Sequence, residues 1–289
     1  MRYFHSVGKG IVLPLFFLLF SSCSKKSTTD TTTITPPPTS SDADLKSLPK
    51  DLGGIQTAVY LSSNIDYGYF VYTPSGYNSN QADYPLLVFL HGSGEVGNSM
   101  VDHNALNKLL AHGPPGLISR KNWAPRYPMI VVSPQSLSTA FDPAVMQNFI
   151  KYLIKTYRVN IHRIYFTGLS LGALHVFQYI TQYVDQSYAA AAVPMSAAYE
   201  NHPLIANLVK TPIWTFSGES DHTVFIKLIT TIGDLNILNP PVKAKITGFP
   251  GIGHDCWDLV YSGSGMGKED SSYDAFNMSI YDWMFQYTK

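Results

Sequence analysis

A serine with a glycine two residues away on each side lies in the stretch G-L-S-L-G, at residues 168–172. The apolar run R-I-Y-F-T precedes it, and a segment with helical character follows. This setting is typical of a nucleophile elbow, a sharp strand-to-helix turn in which small neighbours relieve crowding and the serine oxygen projects above the sheet. The N-terminus of the following helix would point at that oxygen. We therefore predict that Ser170 acts as a nucleophile.

A serine hydroxyl is a weak nucleophile at neutral pH and needs an adjacent base, which a third group orients. Downstream, Asp221 lies in F-S-G-E-S-D-H and His254 lies in G-F-P-G-I-G-H-D-C-W, each in a loop after an apolar run. The chain order serine, acid, histidine is the order that accompanies an elbow serine. Asp221 would orient His254, and His254 would take the proton from Ser170.

Other polar residues near these positions offer alternatives. Glu219 is the most serious one, because it precedes Asp221 by two residues in the same loop. His222 directly follows the acid, and adjacent residues rarely face each other, whereas Asp255 and Asp258 are too close to His254 in sequence to be the expected acid. His175 lies on the helix after the elbow and is expected to pack or to lie on the helix surface. The run H-D-C at 254–256 has no recognisable zinc spacing, so neither a metal site nor a cofactor is predicted, and Cys256 is expected to be a small buried side chain.

An ester-cleaving serine also needs backbone N–H groups that stabilise the negative oxygen of the tetrahedral intermediate. One candidate is the N–H of Leu171, which follows the nucleophile. The other is the N–H of Ser93 in the loop F-L-H-G-S-G-E-V-G-N, with Gly94 as the next choice. In the same loop His91 is expected to shape the backbone and to take no part in catalysis.

Apolar runs and amphipathic segments alternate from about residue 54 to the C-terminus. Two β-type runs at 55–61 and 67–73, joined by S-S-N-I-D, predict an antiparallel hairpin. Continuous apolar runs, typical of strands buried on both faces, follow, with helical segments between and after them. This alternation predicts an α/β fold with a mostly parallel central sheet, helices on both faces and an antiparallel N-terminal edge. The apolar runs begin at Pro85, Met129, Arg163, Ala189, Pro212 and Ala244, and the helical segments cover 144–157, 171–183, 224–235 and 272–287.

The first 22 residues predict an export signal. Arg2 and Lys9 precede the apolar run I-V-L-P-L-F-F-L-L-F, which is too short to cross a bilayer as a helix but suits a signal peptide. The small residues of S-S-C resemble the lipobox of bacterial lipoproteins, in which the cysteine, here Cys23, is lipidated and becomes the mature N-terminus. An ordinary secreted protein that is cut nearby is the alternative.

After the signal, residues 23–53 are rich in Ser, Thr and Pro and predict a tether that cannot bury enough apolar surface to fold. Residues 54–289 then form the catalytic domain. The expected location is outside the cytoplasm, with the lipid on a bacterial membrane at its periplasmic face or at the cell surface. Lipidation of Cys23 would leave Cys256 as the one thiol, so no intrachain disulfide is expected.

The motifs H-G-S-G-E-x-G, G-L-S-L-G, G-E-S-D-x-x-V and G-H-D-C-W together resemble the α/β-hydrolase superfamily. Within it, the chain resembles serine esterases grouped with feruloyl and acetyl xylan esterases, polyhydroxybutyrate-depolymerase-like proteins and predicted peptidases. The likeness runs from about residue 55 to the C-terminus and implies the triad Ser170, Asp221 and His254. Val96 stands where related loops often carry arginine, and the elbow helix begins L-G-A-L-H in place of the usual double glycine.

The resemblance implies a serine hydrolase that cleaves carboxylic esters through an acyl-enzyme, with acetyl or feruloyl esters on polysaccharide as expected substrates. A serine peptidase, since the same triad cleaves amides, and a non-catalytic glycan-binding lipoprotein are the alternatives. Trp257, close to the predicted base, is expected to contact substrate. Three further aromatic residues in nearby loops, which would stack on a ring or simply pack, are Trp123, Tyr199 and Tyr261. The formal net charge is zero, so no nucleic-acid partner is predicted, and membrane contact is expected through the lipid alone.

Overall fold

The computed structural model describes residues 42–60 and 67–289 of the chain. The predicted export signal, Cys23, most of the predicted tether and the connection S-S-N-I-D lie outside the described residues. Within the described residues, eight strands form one sheet, and no helix there is both long enough and apolar enough to span a membrane. The strands are β1 Ile55–Val59, β2 Gly68–Thr73, β3 Tyr84–Leu90, β4 Ile130–Gln135, β5 Val159–Leu169, β6 Ala189–Met195, β7 Trp214–Gly218 and β8 Lys245–Phe249.

The sheet has the order β1-β2-β4-β3-β5-β6-β7-β8. β1 and β2 pair antiparallel, as do β2 and β4, and all the other neighbouring strands in this order run parallel. Every residue of β3, β4 and β6 is buried, which explains why their sequences are almost continuously apolar. The predicted mostly parallel sheet with an antiparallel N-terminal edge is confirmed.

Helices cover both faces of the sheet. Tyr165 and Phe166 are neighbours on β5 and therefore point to opposite faces. Phe166 stacks on Tyr179 at 4.7 Å between ring centroids, whereas Tyr165 meets Phe285 at 5.9 Å. Tyr179 and Phe285 therefore place helix α4 and the end of helix α7 in opposite layers. The helices are α1 Ala43–Lys46, α2 Gly113–Ser119, α3 Pro143–Thr156, α4 Leu171–Tyr183, α5 His222–Ile237, α6 Trp257–Tyr261 and α7 Ile280–Met284.

Local sequence signals fix several of these elements. The side chain of Asp142 caps α3 by accepting from the N–H groups of Ala144 at 2.7 Å and Val145 at 3.1 Å. Pro143 occupies the first turn of α3, where its missing N–H is not needed. Met146, Phe149, Ile150 and Leu153 bury the apolar stripe of this helix, which confirms the helix predicted over 144–157 from its periodicity.

The prediction of one helix over 272–287 is wrong for its first half. Within that stretch, α7 covers only Ile280–Met284, and the preceding chain instead runs along β8, the strand at the sheet edge. The N–H of Asp274 donates to the carbonyl of Ile246 at 2.9 Å, and the Asp274 carboxylate accepts from the Ile246 N–H at 2.9 Å. Phe276 is fully buried there. These bonds cover an edge strand that would otherwise expose unpaired N–H and C=O groups.

The packed chain begins earlier than residue 54. Leu45 of α1 and the nearby Leu48 are buried in the core, and Asp44 forms an ion pair with Arg163 of β5 at 2.5 Å. The last part of the predicted tether, from Asp42 onward, therefore packs on the domain. Two leucines and a few carboxylates make these contacts: Asp42 accepts from the Tyr127 hydroxyl and Asp51 from the Tyr72 hydroxyl. So few scattered residues give no sequence pattern that would reveal the packing.

Candidate active site

Ser170 lies between the end of β5 and the start of α4, on a strained turn. Its backbone angles are φ 50° and ψ −119°, in the left-handed half of the map that residues with a Cβ rarely adopt. Its N–H donates to the carbonyl of Met195 on the neighbouring strand at 2.9 Å. A Cβ at Gly168 would lie 2.6 Å from the backbone of Gly172, and a Cβ at Gly172 would lie 2.1 Å from the carbonyl oxygen of Leu90. Both glycines of the elbow are therefore required by close backbone approach.

Ser170, His254 and Asp221 form one continuous chain of hydrogen bonds. His254 Nε2 lies 2.8 Å from Ser170 Oγ, and His254 Nδ1 lies 2.5 Å from Asp221 Oδ2. An ionised carboxylate only accepts, so Nδ1 carries the proton and Nε2 is free to accept from the serine hydroxyl. The side chain of His254 is 46% exposed and that of Asp221 is 19% exposed. The base thus faces solvent while the acid behind it is largely covered.

Backbone bonds hold the loop of the acid against the loop of the base. The N–H of Ser220 donates to the carbonyl of Ile252 at 2.9 Å. Gly218, at the end of β7, approaches so closely that a Cβ there would lie 2.1 Å from the carbonyl oxygen of Gly253. This contact fixes the separation of two side chains that are 33 positions apart in sequence, those of Asp221 and His254.

Glu219, the alternative acid, points elsewhere. Its Oε1 is buried without a hydrogen-bond partner in the described residues. Burial, followed by the negative charge of Asp270, raises the pKa of the Glu219 carboxyl, which disfavours the charged form that would stabilise an imidazolium. The carboxylate that contacts His254 is that of Asp221.

The predicted oxyanion loop lies directly beside the elbow. Leu90 of β3 pairs with Gly168 of β5, so the chain that continues to Ser93 leaves the sheet next to the serine turn. Leu171 is the first residue of α4, and N–H groups in the first turn of a helix have no partner within the helix. The geometry brings both predicted donors to the edge that holds Ser170, and their role as oxyanion donors stays a prediction.

His91 holds the backbone of this loop and is fully buried. Its Nε2 accepts from the N–H of Ser136 at 3.0 Å, so the proton lies on Nδ1, which donates to the carbonyl of Gly92 at 2.6 Å. Burial lowers the pKa of His91 to about 4, because a charged ring would lose its hydration. A neutral imidazole thus ties the end of β4 to the loop after β3, as the scaffold interpretation expects.

Comparison with models of protein families and with curated proteins found no match. Comparison with solved structures found many. A thermostable esterase shares 20% identity at a TM-score of 0.55; the alignment covers 82% of this chain and 63% of that one. A mutant feruloyl esterase module from Clostridium thermocellum, complexed with sinapinate, shares 17% identity at a TM-score of 0.56; the alignment covers 87% of this chain and 92% of that one. An IroE-like serine hydrolase from Shewanella oneidensis shares 14% identity at a TM-score of 0.51, with 73% of this chain and 78% of that one covered.

The chain has the α/β-hydrolase fold. It spans about 63% of the length of the thermostable esterase that it resembles, and identities of 20% or less carry over the architecture alone. The assignment of a candidate triad to Ser170, Asp221 and His254 therefore depends on the geometry of this chain alone.

Trp257 lies beside the base, but most of its ring is covered. It is 8% exposed, and its ring meets that of His254 edge-on at 5.5 Å. On the other side the ring of His112 lies 5.6 Å away, and no sequence pattern singles that histidine out. The structure thus places Trp257 as a support for the His254 ring, with little surface open to a ligand, and its contact with substrate stays a prediction.

Several other residues that the sequence analysis names are packed within the fold, whereas His222, Asp255 and Asp258 are exposed. His175 of α4 contacts Gln178 at 2.7 Å and the carbonyl of Thr139 at 3.1 Å. Cys256 is fully buried, and burial raises the pKa of its thiol to about 12, so it is no nucleophile near neutral pH. Tyr199 and Tyr261 are buried. Within the described residues, no group of His, Cys, Asp and Glu side chains is arranged to hold a metal ion.

Proposed function

We propose that this chain is a serine hydrolase that cleaves carboxylic esters through an acyl-enzyme. The observation that carries the proposal is the chain of hydrogen bonds from Ser170 Oγ through His254 to Asp221, at 2.8 and 2.5 Å, at the carboxyl edge of the sheet. Ligands in open α/β sheets bind at this edge. The strained backbone of Ser170 adds support, since strain of this kind clusters at functional sites.

In the first half-reaction Ser170 Oγ attacks the carbonyl carbon of the ester while its proton passes to His254 Nε2. Asp221 stabilises the imidazolium that forms, through its hydrogen bond with Nδ1. The negative oxygen of the tetrahedral intermediate accepts from the N–H groups of Leu171 and Ser93. When the intermediate collapses, the C–O bond to the leaving alcohol breaks, and His254 gives its proton to the alcohol oxygen.

In the second half-reaction water attacks the acyl group on Ser170. His254 takes a proton from that water, and the acid is released as the serine oxygen regains its proton. The exposed position of His254 gives water direct access to the ester bond of the acyl-enzyme. The reaction regenerates the starting protonation state of all three side chains, so no cofactor is needed for turnover.

The substrates that we propose are acetyl or feruloyl esters on polysaccharide. Support comes from the motifs resembling feruloyl and acetyl xylan esterases and from the likeness in fold to the feruloyl esterase module. The openness of the site at His254 also suits an ester on a large polymer, which could not enter a closed cavity.

Hydrolysis of p-nitrophenyl acetate by the wild type and by Ser170→Ala tests the proposal. We expect the variant to lose turnover by about 10⁴-fold or more, because the nucleophile is gone. Ser264→Ala is the matched control, since Ser264 is exposed and bonds only within its own loop. Turnover that survives in Ser170→Ala would contradict the proposal. Methyl ferulate, acetylated xylan and a peptide p-nitroanilide then distinguish the acyl groups and separate an esterase from a peptidase.

We also propose that the protein is exported and held on a bacterial membrane by lipid on Cys23. The support is the signal-like start and the S-S-C stretch of the sequence. In cells that carry out this lipidation, the wild type is expected in the membrane fraction and Cys23→Ser in the soluble fraction. Equal distribution of both proteins would overturn the anchor.

A further inference from the structure

A second strained serine, Ser196, lies one residue beyond the end of β6, at the edge of the sheet that holds Ser170. Its φ is 53°, in the left-handed region that residues with a Cβ rarely adopt. Among the non-glycine residues with positive φ in the described part of the chain, Ser196 is the one that is buried, at 1% exposure. Strain of this kind persists where surrounding contacts hold it, so the contacts of Ser196 show what the strain maintains.

Backbone contacts place Ser196 between the nucleophile and the strand that leads to the acid. The carbonyl of Met195, the preceding residue, accepts from the N–H of Ser170 at 2.9 Å. The N–H of Ser196 itself donates to the carbonyl of Phe216 on β7 at 2.8 Å, and the loop of Asp221 follows that strand. The backbone of Ser196 is therefore fixed relative to both the nucleophile and the acid.

The side chain of Ser196 reaches the chain of the third member, the base. Its Oγ lies 3.3 Å from Sγ of Cys256, which follows His254 by two residues. Cys256 is fully buried, and because burial raises the pKa of its thiol to about 12, the thiol keeps its proton near neutral pH. A thiol and a hydroxyl form a hydrogen bond in which either group donates. This contact links the end of β6 to the loop that carries His254.

The loop that carries His254 has little packing of its own. None of the residues 250–255 is buried, whereas Phe249 before them and Cys256 after them are. A Cβ added at Gly251 or Gly253 would meet nothing within 4 Å. The orientation of the His254 ring therefore depends on the contacts at the two ends of this loop, and the Ser196–Cys256 hydrogen bond is the one at its C-terminal end.

Helix α6, which begins directly after Cys256, is fixed at its far end by another buried hydrogen bond. The hydroxyl of Thr167 on β5 donates to the carbonyl of Val193 at 2.7 Å, so its oxygen accepts from the hydroxyl of Tyr261 at 2.9 Å. Both of these side chains are buried. Because Tyr261 holds α6 on the sheet, we expect a change at Cys256 to move the loop before the helix, not the helix itself.

We propose that Ser196 is a positioning residue whose hydroxyl, through Cys256, sets the angle of the His254 ring toward Ser170 Oγ. The inference rests on the proposed function, and Ser196 itself touches no reacting atom. A glycine at position 196 would relieve the backbone strain but would remove the link to the base. The strained serine thus trades stability for alignment of the catalytic histidine.

Ser196→Ala and Ser196→Gly separate the hydroxyl from the backbone strain, because both remove the hydroxyl and only glycine relieves the strain. With p-nitrophenyl acetate, each is expected to lower kcat by about tenfold with KM nearly unchanged, since the base is misaligned. Ser196→Gly should nevertheless melt at a higher temperature than Ser196→Ala. Asn239→Gly is the matched control, because Asn239 is exposed at the end of α5 with φ 51° and should keep the wild-type kcat.

Variants of Cys256 test the other half of the contact. Cys256→Ala is expected to lower kcat as much as Ser196→Ala, and the double variant should be no worse, because all three lose the same hydrogen bond. Cys256→Ser keeps a hydrogen-bonding group and should stay within about threefold of the wild type. The positioning role is overturned if Ser196→Gly keeps the wild-type kcat, or if Cys256→Ser loses as much as Cys256→Ala.

Proton NMR gives a readout that needs no turnover. The hydrogen bond to Asp221 moves the signal of the His254 Nδ1 proton downfield, and loss of this signal in His254→Ala assigns it. We expect the signal to shift or broaden in Ser196→Ala and to stay unchanged in Asn239→Gly. A wild type without turnover would contradict the proposed function, and this signal would then decide the positioning role alone. Identical signals in the wild type and Ser196→Ala would overturn the positioning role.

Discussion

Strand β5 contributes one member of a buried charged pair near its start and leads into the candidate triad at its end. Near its start, Arg163 contacts both carboxylate oxygens of Asp44, at 2.5 and 2.8 Å, and donates to the carbonyl of Phe285 at 2.9 Å. After its end, His254 contacts Asp221 at 2.5 Å. The two contacts are equally short, but Arg163 is 1% exposed beside a half-open acid, whereas His254 is 46% exposed beside a largely covered acid.

The difference shows what each pair can do. An arginine side chain keeps its charge at every accessible pH, so burying it against Asp44 produces a permanent clamp between α1 and the sheet. A histidine changes charge near neutral pH, and an open position lets substrate and water reach His254. We infer that contact distance alone does not separate a structural pair from a catalytic one. The separation comes from which member titrates and which member meets solvent.

Asp221→Asn is expected to break the pair at the carboxyl end without breaking the fold. An amide can donate to Nδ1 and so stabilise the wrong tautomer of His254, which should lower kcat by about 10⁴-fold. Steady-state hydrolysis of p-nitrophenyl acetate and a thermal melt of the same sample measure both effects. Asp258→Asn changes an exposed carboxylate of α6 that lies 3.6 Å from His112 and does not contact His254, and it should stay within about threefold of the wild type. A loss below tenfold in Asp221→Asn would mean that another group orients the base.

Asp44→Ala is expected to do the opposite, with a loss of stability and little effect on kcat. It leaves the guanidinium of Arg163 buried without its carboxylate, which should lower the free energy of unfolding by about 3 to 4 kcal/mol. Urea unfolding at neutral pH gives the value. The double variant Asp44→Ala/Arg163→Met removes the stranded charge and should recover part of the loss. A stability equal to that of the wild type in the single variant would show that α1 does not clamp the sheet.

His91 sharpens the comparison, because it is a histidine that lies at the same edge of the sheet as Ser170 and stays neutral. Its folded pKa of about 4 lies below the ordinary value of 6.5, so between these pH values the unfolded chain binds the proton more readily. The free energy of unfolding should therefore fall by about 3 kcal/mol as the pH drops from 6.5 to 4. Urea unfolding of wild type and His91→Gln at pH 7 and 4.5 measures this. The prediction fails if both proteins show the same pH dependence.

Trp257→Phe is expected to have the smallest effect. Phenylalanine keeps a ring against His254 but loses part of the contact, so kcat should fall by about three- to tenfold with KM nearly unchanged. Trp257→Ala should lower kcat further, because it frees the imidazole to rotate. A rise in KM with kcat unchanged would instead favour the predicted contact of Trp257 with substrate.

Much of the fold and of the candidate site follows from the sequence for a simple reason. Strands buried on both faces must be apolar throughout, and parallel strands end at one edge, so polar residues just after apolar runs gather there. The same pattern predicts that Ser170, Asp221 and His254 lie close together. The preference for Asp221 over Glu219 depends on the family resemblance, and the contact between Asp221 and His254 favours the same residue.

Other features depend on partners that no local pattern reveals. The Asp44–Arg163 pair joins residues 119 positions apart. The stretch 272–279 has helix-compatible apolar spacing, but its hydrogen bonds to the edge strand β8 outweigh that preference.

Labelling of the active serine tests the catalytic role of the hydrogen-bonded chain most directly. The intact protein is treated with diethyl p-nitrophenyl phosphate, which phosphorylates activated serines, and the modified peptide is located by mass spectrometry. We predict one diethylphosphoryl group on Ser170 in the wild type, and labelling slowed by about 10³-fold or more in His254→Ala, because the base is missing. An unlabelled Ser170, or labelling that proceeds equally fast without His254, would contradict the proposed function.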